Sequence, residues 1–302
     1  ELGWTKAAVI YANDDDYSNG LKDAFIENAE ANGIEVVYVG ECTTTDTDYS
    51  SQASQVVANG ADFLFYPCFL DTVPLLVGAA RDAGFDNLNL DLMLGLPGQK
   101  PEQWEQTLEK AMALAPEHLS CYGLILEEGT PLFRQVEAGT CAPLPDEDAL
   151  CEMDDITERL TQAGGYARYE VSNYAKAGKM CRHNIVYWEC LPYLGIGCAA
   201  HSDMDGKRFY NAEDFDAYLN HAPAQMEDAG GRMFERMMMG LRMVRGVDER
   251  RFIRDFGCAP EDVWRQSLPR LMREGMIARV DGRLCLTARG MQVMNAELVE
   301  MM

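Results

Sequence analysis

The strongest constraint in this 302-residue sequence is an alternation of short apolar runs with helical segments that end at glycine. The first three apolar runs, AAVIY, IEVVYV and DFLFY, occupy residues 7–11, 34–39 and 62–66. Helical periodicity follows at residues 21–32, 49–59 and 72–83, and a glycine comes directly after each of these segments. Strands that alternate with helices of this length form parallel sheets with right-handed crossovers. The predicted fold class is therefore α/β, with a mostly parallel sheet built from β-α units.

The same alternation continues beyond the third helix. The run LNLDLML at residues 88–94 predicts a fourth strand, residues 102–114 a helix that follows Pro101, and residues 118–125 a fifth strand. Because its composition suits a sheet covered on both faces, we expect the fourth strand to pair with residues 62–66. This pairing would give a five-stranded open sheet. An acidic helix follows at about residues 146–163, and residues 165–211 are rich in Gly, Tyr and Asn, which is typical of loops and short strands around a site.

The C-terminal segment has a different pattern. Helical periodicity covers residues 232–244, 249–256 and 261–274. A hairpin is predicted over residues 277–286 with its turn at Asp281-Gly282, and a last helix begins at Thr287. Helices followed by a two-stranded wing predict a small winged-helix-like α+β domain.

Charge and hydropathy exclude several classes of function. The formal net charge is −23, and residues 231–302 carry 13 arginines against 10 acidic residues, which leaves −26 on the first 230 residues. An acidic body repels phosphate backbones, so nucleic-acid binding is not expected. No run of eighteen apolar residues occurs, so no membrane span is expected. The first residue is Glu1 and a strand begins within ten residues, so we expect a fragment or a mature product without a signal peptide.

The ten cysteines are scattered and no pair has CxxC spacing. A zinc ribbon or a thioredoxin-like site is therefore not supported. Free cysteine is among the most buried residue types, so the simplest interpretation is reduced, buried thiols in a cytosolic chain.

Residues 1–86 resemble the second lobe of periplasmic substrate-binding proteins for branched-chain amino acids. The resemblance rests on the text TKAAVIYANDDDYSNGLKDAFIENAEANGIEVVYVG and on TDTDYSSQASQVVANGADFLFYPCFLDTVPLLVGAARDAGF. It implies that Tyr17 and Phe69 approach a bound amino acid, where aromatic rings would make apolar contacts. The alternative is that these aromatics end strands and pack on their own helices. The other lobe of such a cleft is missing from this sequence.

Residues 80–302 resemble the radical-SAM proteins similar to oxygen-independent coproporphyrinogen III oxidase, and most closely their haem-chaperone branch. The matching text includes NLNLDLMLGLPGQKPEQWEQTLEKAMALAPEHLSCYGLILEEGTPL, GYARYEVSNYAKAGKMCRHNIVYW, YLGIGCAAHS and the tail MMMGLRMVRGVD…LTARGMQVMN. The segment from Ala80 to Asp86 fits both families, so the chain has the pattern of a chimera.

The second resemblance assigns roles to particular residues. His183, Asn184, Tyr187 and Trp188 match the family's HNxxYW motif, which implies that His183 holds haem iron while the two aromatic rings pack against the porphyrin. The alternative is a histidine hydrogen-bonded beside an aromatic core. Asp91, expected at the C-terminal end of its strand, corresponds to the aspartate that the family uses on the ribose hydroxyls of S-adenosylmethionine. Its alternative role is to cap the turn at Gly95.

Further family positions have simpler expected roles. Glu127 and Glu170, in the motifs EEGT and RYEVSN, are expected to order loops. The Gly-rich stretch of residues 195–202 is expected to be a turn near the site.

Radical-SAM chemistry requires three thiolates from a CxxxCxxC loop to hold a [4Fe–4S] cluster. No three cysteines in this sequence have that spacing, and Cys181, Cys190 and Cys198 are separated by nine and eight positions. S-adenosylmethionine and the cluster are expected of the family but not of this sequence. We therefore expect no radical catalysis by this chain.

These observations predict three domains. They are a periplasmic-binding-protein-like lobe fragment (1–86), a partial radical-SAM barrel with the haem motif (87–228) and a winged-helix-like domain (229–302). The predicted function is haem handling in the cytoplasm, with haem and a haem-acceptor protein as partners. The alternatives are an amino-acid-binding lobe and a non-functional chimera.

Overall fold

The computed structural model describes residues 5–31, 33–67, 73–227 and 231–294. The chain forms two compact units, one of residues 1–86 with 192–229 and the other of residues 87–191 with 230–302. Each unit buries apolar clusters of its own.

The first unit begins with a parallel three-stranded sheet. Its elements are β1 (Lys6–Ala12), α1 (Asp16–Ala31), β2 (Glu35–Cys42), α2 (Ser50–Ala58), β3 (Phe63–Phe65) and α3 (Val73–Asp82). The strand order is β2-β1-β3, so β1 is central and its residues from Ala7 to Ile10 are fully buried. The predicted α/β class with parallel β-α units is confirmed.

Helix α1 begins five residues earlier than the periodicity predicts. Asp15 stands directly before the helix, and its carboxylate accepts a hydrogen bond of 2.6 Å from the backbone N–H of Ser18. An acidic side chain in this position satisfies an N–H group that has no partner inside the helix. The polar loop therefore contributes the first turn of the helix.

The second unit contains a mixed four-stranded sheet. Its first elements are β4 (Asn89–Leu94), α4 (Pro101–Ala113), β5 (His118–Gly123), α5 (Pro131–Glu137), α6 (Glu147–Ala163), β6 (Ala167–Arg168), β7 (Asn173–Ala175) and α7 (Arg182–Trp188). The strand order is β4-β5-β7-β6, in which β4 and β5 are parallel and β7 is antiparallel to both of its neighbours.

The predicted five-stranded sheet is wrong, because β4 pairs with β5 and β3 pairs with β1. The backbone carbonyl of Leu88 accepts hydrogen bonds from the N–H groups of Glu117 and His118 at 3.0 and 3.1 Å. In return, the Glu117 carboxylate accepts one of 2.9 Å from the Leu88 N–H. Helix α4 thus returns the chain to a strand that is fixed beside β4 from its first residue.

The core of the second unit is centred on Trp104 of α4. Its side chain is fully buried, and its indole N–H donates to the Thr157 hydroxyl at 2.8 Å and to the Met153 carbonyl at 3.2 Å. Both acceptors belong to α6, so the indole joins the two helices that cover the sheet. The predicted acidic helix is confirmed within one residue at its start.

A small antiparallel sheet belongs to the first unit. Its elements are β8 (His201–Met204), β9 (Lys207–Tyr210), α8 (Phe215–Leu219) and β10 (Gln225–Glu227), with the strand order β10-β9-β8. The expected short strands within residues 165–211 are present as β6 to β9.

The C-terminal segment packs helices against a three-stranded sheet. The elements are α9 (Arg232–Leu241), β11 (Val247–Asp248), α10 (Glu249–Phe256), α11 (Pro260–Val263), α12 (Ser267–Arg273), β12 (Ile277–Val280), β13 (Arg283–Leu286) and α13 (Ala288–Gln292). Asp281 and Gly282 have φ angles of 50° and 75°, which a tight two-residue hairpin turn requires. The predicted hairpin is confirmed.

The single helix predicted over residues 261–274 is wrong, because the structure divides it into α11 and α12. Pro269 lies in the first turn of α12, where its missing N–H is not needed, whereas in the interior of a long helix it would break a hydrogen bond. Trp264 occupies the break, and its ring centroid lies 5.9 Å from that of Phe252 in the core. Of the helices described, none has the length and apolar character needed to cross a membrane.

The burial of Trp104 gives a testable prediction. We expect Trp104→Ala to lower the free energy of unfolding by about 3–5 kcal/mol, because it leaves a cavity and two acceptors without their donor. Urea unfolding followed by circular dichroism measures the change. Ile125→Ala, on a side chain that is 79% exposed in the same unit, is the control and should change this free energy by less than about 0.5 kcal/mol. Equal effects of both substitutions would contradict the assigned core.

Candidate functional site

Strands β4 and β5 carry polar side chains on one face of their sheet. Successive side chains of a strand point to opposite faces. Leu92 of β4 and Leu119 of β5 are buried in the same core cluster as Trp104. On the opposite face, Asn89 lies beside His118, and the next register pair joins an aspartate to a serine. This face, defined by Asn89, Asp91, His118, Ser120 and Asn173, is called the polar face below.

A chain of hydrogen bonds runs along the polar face. The backbone N–H of Cys181 donates to the Tyr169 hydroxyl at 3.2 Å, and that hydroxyl lies 2.9 Å from His118 Nε2. His118 Nδ1 lies 2.7 Å from Asn89 Oδ1, and the Asn89 amide donates to Asp91 Oδ1 at 2.7 Å. The chain therefore connects the residue that directly precedes α7 to a carboxylate on β4.

The direction of these hydrogen bonds follows from the carboxylate at one end. An ionised carboxylate only accepts, so the Asn89 amide nitrogen must face Asp91 and its carbonyl oxygen must face His118. His118 Nδ1 then carries the proton, and Nε2 accepts from the Tyr169 hydroxyl. Every proton in the chain points toward Asp91, which requires a neutral imidazole at His118.

Burial also favours the neutral form of the His118 imidazole. It lowers the pKa of His118 below its usual value, and the negative charge of Asp91 opposes this shift. Burial also raises the pKa of the Tyr169 hydroxyl, so the phenol keeps its proton. Both groups are thus held in their uncharged forms at neutral pH.

A buried carboxyl group lies near this chain. Glu170 is 1% exposed, and its Oε2 atom has no hydrogen-bond partner among the described residues. Burial raises the pKa of Glu170, while a hydrogen bond with Asn173 lowers it. A buried carboxyl group with a raised pKa is a common feature of functional sites. The expectation that Glu170 orders a loop does not account for the unpartnered atom.

Helix α7 contains the whole HNxxYW motif. His183 and Tyr187 are four residues apart and share one stripe of the helix, with ring centroids at 4.9 Å in an edge-to-face arrangement. His183 is exposed, and within the described part of the chain no protein group hydrogen-bonds its ring nitrogens. Its imidazole is thus accessible to an external ligand.

The opposite side of α7 packs into the protein. Ile185 and Trp188 contact a buried cluster that includes Tyr169 and Ala175, and Ala175 pairs with His118 on the neighbouring strand. Helix α7 therefore packs beside the end of the polar face at which His118 lies, while Asn89 and Asp91 stay exposed. The guanidinium carbon of Arg242 lies 5.5 Å from the ring centroid of Trp188, within cation–π distance.

The structure places the other predicted site residues as follows. Asp91 is the third of six residues in β4, so the expectation that it ends its strand is wrong. Three apolar residues separate it from Gly95. Its exposed carboxylate belongs to the polar face. Tyr17 is 65% exposed in the first turn of α1, and Phe69 lies outside the described residues.

Sequence reasoning missed His118, Asn89 and Tyr169 as members of the site. The alternating text NLDL contains the pattern that identifies the polar face, because Asn89 and Asp91 are two positions apart on one strand. Tyr169 lies in a loop that is distant in sequence from β4 and β5, and no sequence pattern marks it as a member of the site. Across the residues that the structure describes, no group of three or more His, Cys, Asp or Glu side chains could hold a metal ion.

Two protein families match different parts of the chain. The HemN C-terminal domain matches residues 231–293, and the periplasmic binding protein family matches residues 1–113. The periplasmic binding protein match includes β4 with Asn89 and Asp91, whereas His118, Tyr169 and α7 lie between the two matches.

Two curated relatives each match more than two thirds of the chain. Heme chaperone HemW of Bacillus subtilis is 32% identical over 219 residues, which is 70% of this chain and 58% of that protein. Heme chaperone HemW of Escherichia coli is 34% identical over 228 residues, which is 72% of this chain and 58% of that protein. The chain therefore spans a little more than half the length of these relatives.

The fold resembles that of a solved structure. Coproporphyrinogen III oxidase (HemN) from Escherichia coli, described as a radical SAM enzyme, aligns with a TM-score of 0.62 at 14% identity. The alignment covers 100% of this chain and 91% of that chain.

The buried imidazole predicts a pH-dependent stability. Because the pKa of His118 is lower in the folded state, the unfolded state takes up a proton first as the pH falls below about 6.5. We expect the advantage in unfolding free energy of the wild type over His118→Gln to shrink over this range, by at most about 1.4 kcal/mol per pH unit. Urea titrations at several pH values measure this difference in unfolding free energy. The titration of Glu170 contributes equally to both proteins, so it cancels in the difference.

Tyr169→Phe is the matched control for this prediction. It removes the hydroxyl that His118 accepts from but keeps the imidazole buried. We expect it to lower stability by about 1 kcal/mol while the pH dependence remains. A wild type whose advantage over His118→Gln is the same at all pH values would contradict the burial argument.

Proposed function

We propose that this chain binds haem. The premise is that residues 80–302 are related to the radical-SAM haem chaperones and residues 1–86 to a periplasmic binding-protein lobe. The observation that carries the proposal is helix α7, which exposes the imidazole of His183 while its other side is fixed in the protein. The two curated relatives, which match 70% and 72% of this chain, are haem chaperones by name.

His183 is the residue proposed to ligate the haem iron. A neutral imidazole nitrogen is a common axial ligand of haem, and both of its ring nitrogens are free of protein hydrogen bonds within the described residues. Tyr187 lies edge-on to the imidazole and would restrict its rotation, so that the ring is held ready for the iron. Asn184, half-buried in the next position, would donate or accept a hydrogen bond at the rim of the porphyrin.

Trp188 has a supporting role in this proposal. Its ring is half-buried against Arg242 and the cluster of Tyr169, Ala175 and Met243, so it anchors the end of α7. The sequence resemblance assigns it to the porphyrin surface, and its partly exposed ring is compatible with such contact. The start of α7 is held by the hydrogen bond from the Cys181 N–H to Tyr169. A ligand helix fixed at both ends loses little conformational entropy when it binds.

We further propose that the chain as given does not carry out radical chemistry. The sequence lacks the CxxxCxxC spacing, and the described residues provide no metal-binding group of three or more side chains, so they do not fit a [4Fe–4S] cluster. The exposed carboxylate of Asp91 is compatible with hydrogen bonds from two ribose hydroxyls, as the family uses it with S-adenosylmethionine.

The proposed cellular role is delivery of haem to an acceptor protein in the cytoplasm. The haem-chaperone relatives support this role by name, although the chain spans 58% of the length of each. Release to an acceptor requires an accessible ligand helix, and His183 lies on the exposed side of α7.

The haem ligand can be tested directly. We expect haem titration of the wild type to produce the Soret band of bound haem. In His183→Ala this band should shift and the affinity for haem should fall by at least about 90%, because the iron loses its axial ligand. Absorbance spectroscopy between 350 and 450 nm, roughly the range of haem absorption, measures it.

His201→Ala is the matched control for the haem ligand. His201 is also exposed, but its imidazole pairs with Glu227 at 3.3 Å and stacks on Tyr210. Its substitution should leave the Soret band unchanged. An unchanged band in His183→Ala would remove that residue from the site, and no band in the wild type would overturn the proposed function.

A second candidate function concerns the first unit. Tyr17 is 65% exposed at the start of α1, close in sequence to the C-terminal end of the central strand β1. Ligands of open parallel sheets bind beyond this end of the strands. The match of residues 1–113 to the periplasmic binding protein family supports an amino-acid ligand there.

Calorimetry with leucine tests this second function. Binding that weakens about tenfold or more in Tyr17→Ala would support a ring contact with the ligand. Tyr187→Ala, in the other unit, should leave any leucine binding unchanged. A wild type that binds neither leucine nor haem would contradict both proposed functions and would favour the alternative of a non-functional chimera.

A further inference from the structure

A small cavity of about 130 Å³ lies beside the last residue of α7. Trp188 and Glu189 form one wall, and residues of α9, β11, α10 and β13 and of the turn between α9 and β11 form the others. The pockets that enclose a whole small-molecule ligand usually measure about 300–1,000 Å³. This cavity therefore has room for a single ionised group and not for a tetrapyrrole.

Four arginines line the cavity, namely Arg236, Arg245, Arg251 and Arg283. Two carboxylates line it as well, and each is already paired. Glu189 forms an ion pair with Arg245, and Asp248 accepts a hydrogen bond of 3.1 Å from Arg283. The positive charges of the other two arginines are thus not matched inside the lining.

The two remaining arginines share one weak counter-charge. Arg236 Nη2 and Arg251 Nε both lie 3.6 Å from Oδ2 of Asp255. The other oxygen of this carboxylate, Oδ1, lies 3.2 Å from Nε of Arg254. A distance of 3.6 Å exceeds that of a charge-assisted hydrogen bond. The carboxylate of Asp255 therefore leaves most of their donor groups without an acceptor at bonding distance.

Two buried N–H donors of the lining have no partner among the described residues. They are Nε of Arg236 and the indole Nε1 of Trp188. Leaving a buried donor unsatisfied is unfavourable, so such groups usually have a ligand or water in the functional state. Here the two donors belong to residues that line the same cavity.

Burial and neighbouring positive charges both act on the arginines of the cavity. Burial and the charge of Arg251 lower the pKa of Arg236, and burial with the charges of Arg283 and Arg251 lowers the pKa of Arg245. Like charges are therefore close enough to repel each other. A bound anion would relieve this repulsion and accept from the unsatisfied donors.

We propose that this cavity is a binding subsite for a single carboxylate or phosphate group. Its guanidinium and indole donors fit an oxyanion, and its volume excludes a larger ligand. Because Trp188 belongs to both α7 and the lining, an anionic side group of a ligand held by α7 is one source of the oxyanion. This source, a haem propionate, rests on the proposed function, whereas a free phosphate does not.

Inorganic phosphate is the probe for the subsite. Titration of the full chain at low ionic strength, followed by phosphorus-31 NMR line broadening, should show saturable binding. We expect Arg236→Gln and Arg251→Gln each to weaken it about tenfold or more, since each removes a charged donor. Arg250→Gln, on an exposed arginine of the same helix α10 that does not line the cavity, should leave it unchanged.

The outcomes separate clearly. Phosphate binding that is absent from the wild type, or equal in the wild type and both lining variants, overturns the subsite. Arg236→Met keeps the apolar part of the buried side chain and replaces Arg236→Gln if that variant does not fold. Thermal unfolding of each variant confirms that the fold is retained.

Competition identifies the source of the anion. If haem displaces phosphate and haem dimethyl ester does not, the oxyanion is a haem propionate. If neither displaces it, the subsite takes a free anion, which also supports the proposal. If haem does not bind to the wild type at all, the proposed function fails while the phosphate titration still decides the subsite.

Discussion

The hydrogen bond between Tyr169 and His118 is the contact on which the rest of the second unit's site depends. The Tyr169 hydroxyl accepts from the backbone directly before α7 and donates to an imidazole on β5. One phenol therefore connects the sheet to the helix with the HNxxYW motif. Because the imidazole must remain neutral to accept this hydrogen bond, the position of α7 is linked to the protonation state of a buried group.

The sequence predicted the elements better than it predicted their neighbours. Periodicity and glycine positions located β1, β2, α2 and α6 closely, since these signals are local. The partner of β4 was mispredicted because the apolar run LNLDLML suits any parallel neighbour, and the actual choice depends on hydrogen bonds made by Leu88 and Glu117. The division between α11 and α12 was visible in principle, because Pro269 was in the sequence.

The candidate site likewise has parts that the sequence predicted and parts that it did not. The motif around His183 could be recognised from its letters, but the sequence analysis expected loops and short strands there, and the structure shows a helix, α7. The polar face could not be assembled in advance, because Tyr169 and His118 are 51 residues apart and meet only through the antiparallel pairing of β7 with β5. The arginine cavity is likewise a product of tertiary structure, since its residues come from five different elements.

The placement of Trp188 has an optical consequence. Its indole lies at the end of α7 and also lines the arginine cavity, so both candidate ligands would change its surroundings. A guanidinium over the ring and an unsatisfied indole N–H make its emission energy sensitive to any added charge. A strongly absorbing ligand on α7 would instead quench its emission by energy transfer. The protein therefore contains an intrinsic fluorophore that can distinguish the arrival of an anion from the arrival of a pigment.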